Sequence, residues 1–353
     1  MSDNNLYRVG PRKARQYIEL CIQSNVVPFL QSSPGIGKSS IMRAIAEKFN
    51  LCLIDHRLST SPPEDMSGLP QFINGMARFA PFAELFPIVG TEKPINPKTG
   101  QPYDGWMIFL DEFNSAKKDT QAAAYKLILD KMVGQHRLHD DVVITCAGNL
   151  DSDRAIVNAL GTAMQSRVIH IEMVVNFDEW LMDVALPQNY DPRIIAYLSQ
   201  HKDKLMDFDP KHTNKTFCCP RTWEFKDRLI RDREVADDYT ALYAGTITPG
   251  VASSFVQFVK VYDRMPKVEE ILDDPHNHEI PSDVSMLWAV TSALLSNLTD
   301  KNIDKVAIYV NRLDKSFRIL FYRSIMVRYP ELRHNQHYTK ALVDLQRDLK
   351  PRV

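Results

Sequence analysis

Five short apolar runs, each separated from the next by a stretch with helical spacing, dominate the first 175 residues of this chain. The runs are rich in β-branched residues and short enough to be buried strands rather than core helices. Buried strands that alternate with helices form a parallel sheet with helices on both faces. The predicted strands cover residues 26–30, 51–54, 106–110, 142–147 and 168–173.

Beyond residue 177 the strand-like runs disappear and helical patterns separated by prolines take over, for example over 286–298 and 307–328. A chain of 353 residues is long enough for two or three domains. We therefore expect an α/β domain over 1–175, a helical lid over 176–234 and a further helical region over 235–353.

The overall composition restricts the possible partners. Lys and Arg number 43 and Asp and Glu number 44, so the formal net charge is −1, which argues against a broad basic face for nucleic acid. No apolar run approaches the roughly 18 residues of a membrane helix, and the polar N-terminus is unlike a signal peptide. The five irregularly spaced cysteines form no disulfide or zinc pattern. We expect a cytoplasmic protein that does not contact a membrane.

A glycine-rich motif, Ser-Ser-Pro-Gly-Ile-Gly-Lys-Ser, follows the first predicted strand and begins a helical stretch over 38–49. This is the context of a P-loop, in which backbone N–H groups and a helix N-terminus surround phosphate. Lys38 would reach the β- and γ-phosphates of ATP, and the hydroxyl of Ser39 would bind Mg²⁺. Ser32 stands where a glycine is usual, and Gly-Lys-Ser also occurs by chance. The candidate nucleotide-binding residues are Ser33, Pro34, Gly35, Ile36, Gly37, Lys38, Ser39 and Ser40.

Two adjacent carboxylates follow the third predicted strand, at the end where ligands bind to parallel sheets. Asp111 would hold Mg²⁺ together with Ser39, and Glu112 would take the proton of the attacking water. Acidic residues are also common where a helix begins. The pair indicates a catalytic site only because a P-loop precedes it in the chain. Asn149 follows the fourth strand after Ala-Gly and could align the same water, although Gly-Asn is also an ordinary turn.

The order of P-loop, Asp-Glu strand and polar strand end resembles the AAA+ superfamily of ATPases. Within it, the chain is similar to the MoxR-like branch, which is grouped with dynein-related AAA domains. Three stretches carry this finer match: residues 55–70 with their Gly-Leu-Pro turn, residues 111–116 with Ser115 where a basic residue is usual, and residues 121–123. The resemblance covers residues 10–230 and implies a P-loop AAA+ fold with bound ATP and Mg²⁺.

The resemblance also implies roles for arginines that the residue pattern alone does not single out. Arg167, just before the fifth strand, matches an arginine finger that reaches the ATP of a neighbouring subunit, with Val168 where an aromatic residue is frequent. Arg221, after Pro220, matches a second sensor that contacts the γ-phosphate from the same subunit. Arg154 could be a further contact in trans, or it could form an ordinary surface salt bridge.

An arginine that acts in trans implies a homo-oligomer, and the resemblance implies a hexameric ring. The resemblance also gives the leading hypothesis, an ATPase that remodels a protein client, with a von Willebrand factor A domain protein as a candidate partner. A nucleic-acid motor is the first alternative, based on one arginine in 74–78 and the basic residues of 131–139. The second is a nucleotide-gated scaffold, although such a protein would not need Glu112.

Overall fold

The computed structural model describes residues 6–153, 158 and 160–349. The chain divides into two compact units, residues 1–175 and residues 176–353. The strands of the first unit are β1 (Arg8–Val9), β2 (Val27–Ser32), β3 (Leu51–Arg57), β4 (Leu69–Ile73), β5 (Met76–Ala80), β6 (Gly105–Asp111), β7 (Met132–Val133), β8 (His136–Arg137), β9 (Val142–Gly148) and β10 (Val168–Met173).

A parallel sheet of six strands, in the order β1-β10-β2-β9-β6-β3, forms the centre of the first unit. All seven residues of β6 are buried, which requires cover on both faces of the sheet. The helices of this unit are α1 (Pro11–Gln23), α2 (Lys38–Lys48), α3 (Pro63–Ser67), α4 (Lys118–Asp130) and α5 (Thr162–Gln165).

The helices α1 and α2 lie against the strands and against each other. Leu127 and Ile128 of α4 share a buried cluster with Ile108, Leu110 and Ile144 of the sheet. The structure therefore confirms the predicted α/β class, in which a P-loop sheet is covered by helices and followed by a helical region.

Each of the five strands predicted from the sequence is present in this sheet, with ends that differ by up to three residues. Three features were not predicted: the short edge strand β1, the hairpin of β4 with β5, and the hairpin of β7 with β8. These strands are short or exposed, so they lack the continuous apolar runs that mark buried strands.

The regular secondary structure in the described residues of the second unit is helical, apart from an isolated bridge between Asp207 and Cys218. Its helices are α6 (Phe177–Trp180), α7 (Pro192–Gln200), α8 (Pro220–Ile230), α9 (Thr240–Ile247), α10 (Pro249–Tyr262), α11 (Val268–Asp273), α12 (Val284–Ser296), α13 (Ile303–Val310), α14 (Lys315–Arg328) and α15 (Gln336–Leu349).

The prediction of one helical stretch over 307–328 was wrong, because α13 ends at Val310 and α14 begins at Lys315. Between them, Leu313 is buried, and Asp314 has the extended backbone of a residue that precedes a helix. The prediction of a helix over 286–298 corresponds to α12, shifted by two residues.

An aromatic cluster joins the two predicted segments of this unit, residues 176–234 and 235–353. The ring of Tyr197 on α7 lies 5.8 Å from Trp223 on α8, 5.3 Å from Phe255 and 5.5 Å from Phe258 on α10. Residues on both sides of the predicted boundary at 234/235 therefore share one packed core. The separate functions assigned to 176–234 and 235–353 stay predictions.

Among the described helices, none has the length and apolar character that a bilayer crossing needs.

Candidate active site

The loop between β2 and α2 has the backbone geometry that its glycines permit. Gly35 and Gly37 have φ angles of 80° and 97°, in the left-handed region that favours glycine. Ser32, the departure from the usual P-loop pattern, is fully buried at the end of β2. Its hydroxyl donates to the carbonyl of Ser33 at 3.0 Å and accepts from the ammonium group of Lys38 at 3.1 Å. The Ser32 hydroxyl thus becomes part of the support for Lys38.

The Lys38 ammonium group links the loop to a neighbouring strand. It donates to the backbone carbonyl of Ser32 at 3.1 Å and to the Oδ1 atom of Asn149 at 3.2 Å. Asn149 directly follows β9, which lies beside β2 in the sheet. The P-loop lysine and the polar residue predicted to align water are therefore direct neighbours.

Ser39 and Asp111 meet in the same region. The Ser39 hydroxyl donates to the Oδ2 atom of Asp111 at 3.2 Å, and Asp111 is only 6% exposed at the end of β6. A serine hydroxyl and a carboxylate are hard oxygen ligands, which suit Mg²⁺. No group of three His, Cys, Asp or Glu side chains able to hold a metal occurs in the described part of the chain.

Glu112 has an unusual backbone and two side-chain partners. Its φ of 53° is rare for a residue other than glycine, and its N–H donates to Oδ1 of Asp111 at 2.8 Å. The hydroxyl of Ser59 donates to one carboxylate oxygen, and Nε of Arg57 lies 3.6 Å from the other. The side chain is about one-third exposed, so its carboxylate is accessible to water.

Asn114 fixes the backbone that follows β9. Its side-chain amide donates to the carbonyl of Asn149 at 2.8 Å and accepts from the N–H of Asn149 at 3.0 Å. Asn114 itself is only 1% exposed. A Cβ atom at Gly148 would fall 2.2 Å from Oδ1 of Asn114, so the strand end accepts only glycine at this close approach. This pair of bonds sets the position of Asn149 relative to Lys38.

Asp55 adds a second carboxyl group on β3, the strand that pairs with β6. Desolvation, followed by the charge of Asp111, raises the pKa of Asp55 on β3, while the charges of Arg57 and Arg43 act in the opposite direction. Burial lowers the pKa of His56, whose Nε2 lies 2.9 Å from the hydroxyl of Ser61. Asp55 lies two residues before the end of β3, and carboxyl groups at such a strand edge suit a divalent cation.

The structure thus brings together Lys38, Ser39, Asp111, Glu112 and Asn149 from three strand ends, β2, β9 and β6, that are adjacent in the sheet. These residues are separated in the sequence by up to 111 positions. The remaining P-loop residues lie in or beside the same loop, where Ile36 is buried and Ser40 is exposed.

Two of the three predicted arginines belong to the described residues. Arg167 is exposed after α5, and its guanidinium group donates to the carbonyl of Ala163 at 2.6 Å. Arg221 is exposed in the first turn of α8, in the second unit. Arg154 lies outside the described residues. The roles of these three residues toward ATP stay predictions.

Sequence reasoning did not select Asn114, Ser59 or Arg57 as functional residues. Asn114 belongs to the stretch 111–116 that carries the family resemblance, so a signal for it was available. Ser59 and Arg57 lie more than 50 positions before Glu112, and no local pattern reports such a distant contact.

No protein-family model matches the chain, and the comparison with curated proteins found no match. Solved structures align with it at low similarity. A mutant of RuvB from Thermotoga maritima is 16% identical with a TM-score of 0.36, over 76% of this chain and 77% of that one. A Cytophaga hutchinsonii protein assigned as an ATPase is 12% identical with a TM-score of 0.35, over 98% of this chain and 91% of that one. At these scores, likeness alone assigns no function.

Proposed function

We propose that this chain is an ATP-hydrolysing protein of the AAA+ type, from its MoxR-like branch. The observation that carries the proposal is the convergence of Lys38, Ser39, Asp111 and Asn149 within hydrogen-bond distance at three adjacent strand ends. Glu112 lies beside them with an accessible carboxylate. A protein that only bound nucleotide as a scaffold would not need this carboxylate.

Each residue of the cluster has a definite task in hydrolysis. Lys38 contacts the phosphates of ATP, and Ser39 and Asp111 hold Mg²⁺. When bound, this ion neutralises charge on the phosphate oxygens. Glu112 accepts a proton from the attacking water, and Asn149 keeps that water in line with the γ-phosphate. Asn114 positions Asn149 by holding its backbone on both sides.

The exposed position of Arg167 supports its action on a neighbouring subunit. A guanidinium group there offsets the charge that grows on the γ-phosphate in the transition state. A site completed in trans makes assembly part of the mechanism, and a head-to-tail interface that closes produces a ring, which we propose to be a hexamer. Arg221 would act from the same subunit as the ATP.

The contacts made by the basic residues of 131–139 support a protein client over nucleic acid. Lys131 donates to Asn25 at 2.8 Å, and Arg137 pairs with Asp140 at 2.8 Å. The ring of His139 packs on Trp106, with 5.0 Å between centroids. These contacts engage the basic side chains with groups of the protein itself, which favours a partner other than a phosphate backbone. We therefore propose a remodelled protein or complex as the client, with a von Willebrand factor A domain protein as a candidate partner.

Steady-state ATP turnover tests the proposal. The wild type should hydrolyse ATP in the presence of Mg²⁺. Glu112→Gln should bind ATP yet turn it over at least about 100-fold more slowly, because it lacks the base. Lys38→Ala should lose nucleotide binding. Wild-type protein that binds no ATP, or turnover in Glu112→Gln equal to wild type, would contradict the proposal.

A further inference from the structure

The hairpin of β4 and β5 projects from the first unit on a firmly packed base. Its strands are joined by Asn74 and Gly75, whose φ angles of 52° and 76° belong to a tight hairpin turn. At the base, a Cβ atom on Gly68 would fall 2.5 Å from the carbonyl oxygen of Ala80, so the two chains touch closely. The His136 ring lies 2.9 Å from the carbonyl of Phe79. The base is therefore anchored, whereas the residues nearer the turn are exposed.

Large apolar side chains are concentrated on this hairpin. The hairpin patch consists of Leu69, Phe72, Ile73, Met76 and Phe79, which are between 43% and 78% exposed. Phe72 is the most exposed of them, at 78%. Apolar side chains gathered on one exposed element mark an interaction site more often than scattered ones do.

The backbone of the hairpin has unused pairing capacity. β4 and β5 form a two-stranded sheet, so each strand has a single neighbour among the described residues. Isolated two-stranded hairpins are marginally stable and gain from a further strand. Pro70 lacks an N–H, and the carbonyl of Phe79 already faces His136. An incoming strand would therefore pair along residues 71–73 or 76–78.

Charge limits the identity of the occupant. Arg78 is the only charged residue in 69–80, it is exposed, and it stands in register with the neutral Gln71. No ion pair with Arg78 occurs within the described part of the chain. One cation surrounded by apolar side chains is too little for a phosphate backbone, which needs several cations. It is suited to a polypeptide that carries one carboxylate among apolar residues.

We propose that the hairpin patch docks an extended, apolar and acidic polypeptide segment, which adds as a strand beside β4. Main-chain hydrogen bonds supply affinity in this mode, and alternate side chains supply specificity. A carboxylate opposite Gln71 reaches Arg78, which stands in register with Gln71. Apolar side chains of the segment cover Phe72 on one face of the hairpin, and Ile73 with Met76 on the other. The inference rests on the proposed function in one respect, namely that the segment belongs to the client of the ATPase.

Binding of defined probes to the full-length protein without nucleotide tests this inference. The first probe is a fluorescein-labelled decapeptide in which Val and Phe alternate with Glu and Thr. The second carries Lys in place of Glu, the third is the acidic peptide with N-methylated backbone amides, and the fourth is a 20-nucleotide oligo-dT. Fluorescence anisotropy measures the affinities, and light scattering measures the mass of the protein.

We expect the acidic peptide to bind the wild type and to bind Phe72→Ser/Met76→Ser at least tenfold more weakly. Val89→Ser/Ile95→Ser is the matched control, because both side chains are exposed apolar groups of the same unit, at 62% and 58%. The control should bind like the wild type. Arg78→Glu should reverse the preference and bind the Lys peptide more tightly, and N-methylation should weaken binding.

Three results would overturn the inference. The first is equal binding of the acidic peptide to the wild type and to Phe72→Ser/Met76→Ser. The second is tighter binding of oligo-dT that depends on the patch. The third is a lower mass of the double variant, which would make the patch a contact between copies of this chain. The binding assay needs no ATP hydrolysis, so the two proposals can fail separately. Absence of ATP turnover in the wild type would contradict the proposed function, whereas absence of patch-dependent peptide binding would contradict only the docking inference.

Discussion

Asn114 positions Asn149 through two hydrogen bonds, and we expect it to contact neither ATP nor the attacking water. We predict that Asn114→Ala lowers kcat about tenfold or more while it changes the affinity for ATP much less, because Lys38 and the P-loop stay in place. Loss of the buried amide also leaves two backbone groups of Asn149 without partners, which costs roughly 1–3 kcal/mol of stability. Separate measurements of kcat and of nucleotide affinity check the prediction.

Gly148→Ala tests the same contact from the other side, since its Cβ would push against Oδ1 of Asn114. It should reproduce the loss of kcat seen in Asn114→Ala. Full kcat in either variant, with the fold intact by circular dichroism, would show that Asn114 does not position a residue needed for hydrolysis.

Two neighbouring serines at the start of α2, Ser39 and Ser40, allow a test of which hydroxyl binds Mg²⁺. Ser39 contacts Asp111, whereas the side chain of Ser40 is exposed. We predict that Ser39→Ala raises the Mg²⁺ concentration needed for half-maximal turnover by about tenfold or more. Ser40→Ala should leave this concentration near that of the wild type. Titration of turnover with MgCl₂ measures both, and equal behaviour of the two variants would argue against Ser39 as a metal ligand.

The residues of the candidate site differ in how far sequence could predict them. Lys38, Asp111 and Glu112 belong to local motifs whose order along the chain carries the signal. Arg57 reaches Glu112 only because β3 pairs with β6 in a register that places Arg57 opposite Asp111. That register follows from the packing of the whole sheet, which no short stretch of sequence encodes.

The helix α8 contains a buried amine that bears on the stability of the second unit. Lys226 is fully buried, and its Nζ atom lies over the rings of Tyr243 and Phe255. Among the described residues, this atom has no hydrogen-bond partner. Burial, followed by the charge of Arg193, lowers the pKa of Lys226 to about 6, while the charge of Asp191 acts in the opposite direction. The folded protein therefore holds this amine largely neutral at pH 7.

Between pH 6 and about 10 the unfolded chain binds a proton at Lys226 that the folded chain does not bind. The free energy of unfolding should therefore rise with pH across this window. We predict that Lys226→Met removes this contribution and stabilises the protein at pH 7 by on the order of 3 kcal/mol. Urea unfolding at several pH values, followed by tryptophan fluorescence, measures the change.

Lys260→Met is the control for this experiment, because Lys260 is exposed on α10 and pairs with Asp237. It should alter neither the stability at pH 7 by more than about 1 kcal/mol nor its dependence on pH. An unchanged pH dependence in Lys226→Met would show that the amine is protonated in the folded state.

At the level of elements, continuous apolar runs were sufficient to predict the buried strands, because both faces of this sheet are covered. The hairpin of β4 and β5 was missed although Asn74-Gly75 is a strong turn signal, since both of its strands are exposed and Pro70 weakens the strand pattern. The break between α13 and α14 was missed because 307–328 keeps helical spacing through the turn.

At the scale of the whole molecule, a site completed by Arg167 of a neighbouring subunit requires assembly that depends on nucleotide. We predict that Glu112→Gln with Mg-ATP forms a particle of about six subunits, because ATP persists at each junction. The particle should be lost in Glu112→Gln/Arg167→Ala. Light scattering with and without Mg-ATP measures the mass, and a monomer with ATP demonstrably bound would contradict a site shared between subunits.

The most direct test of the central claim, a hydrolytic site built from two subunits, is turnover by a mixture of two inactive variants. Glu112→Gln supplies Arg167 but no base, whereas Arg167→Ala supplies Glu112 but no guanidinium group. At protein concentrations high enough to assemble rings from equal amounts of the two variants, about one junction in four combines both intact groups. We predict that each variant alone is nearly inactive and that the mixture regains up to about a quarter of the wild-type rate. A mixture that forms rings yet stays inactive, or full activity of Arg167→Ala alone, would contradict the claim.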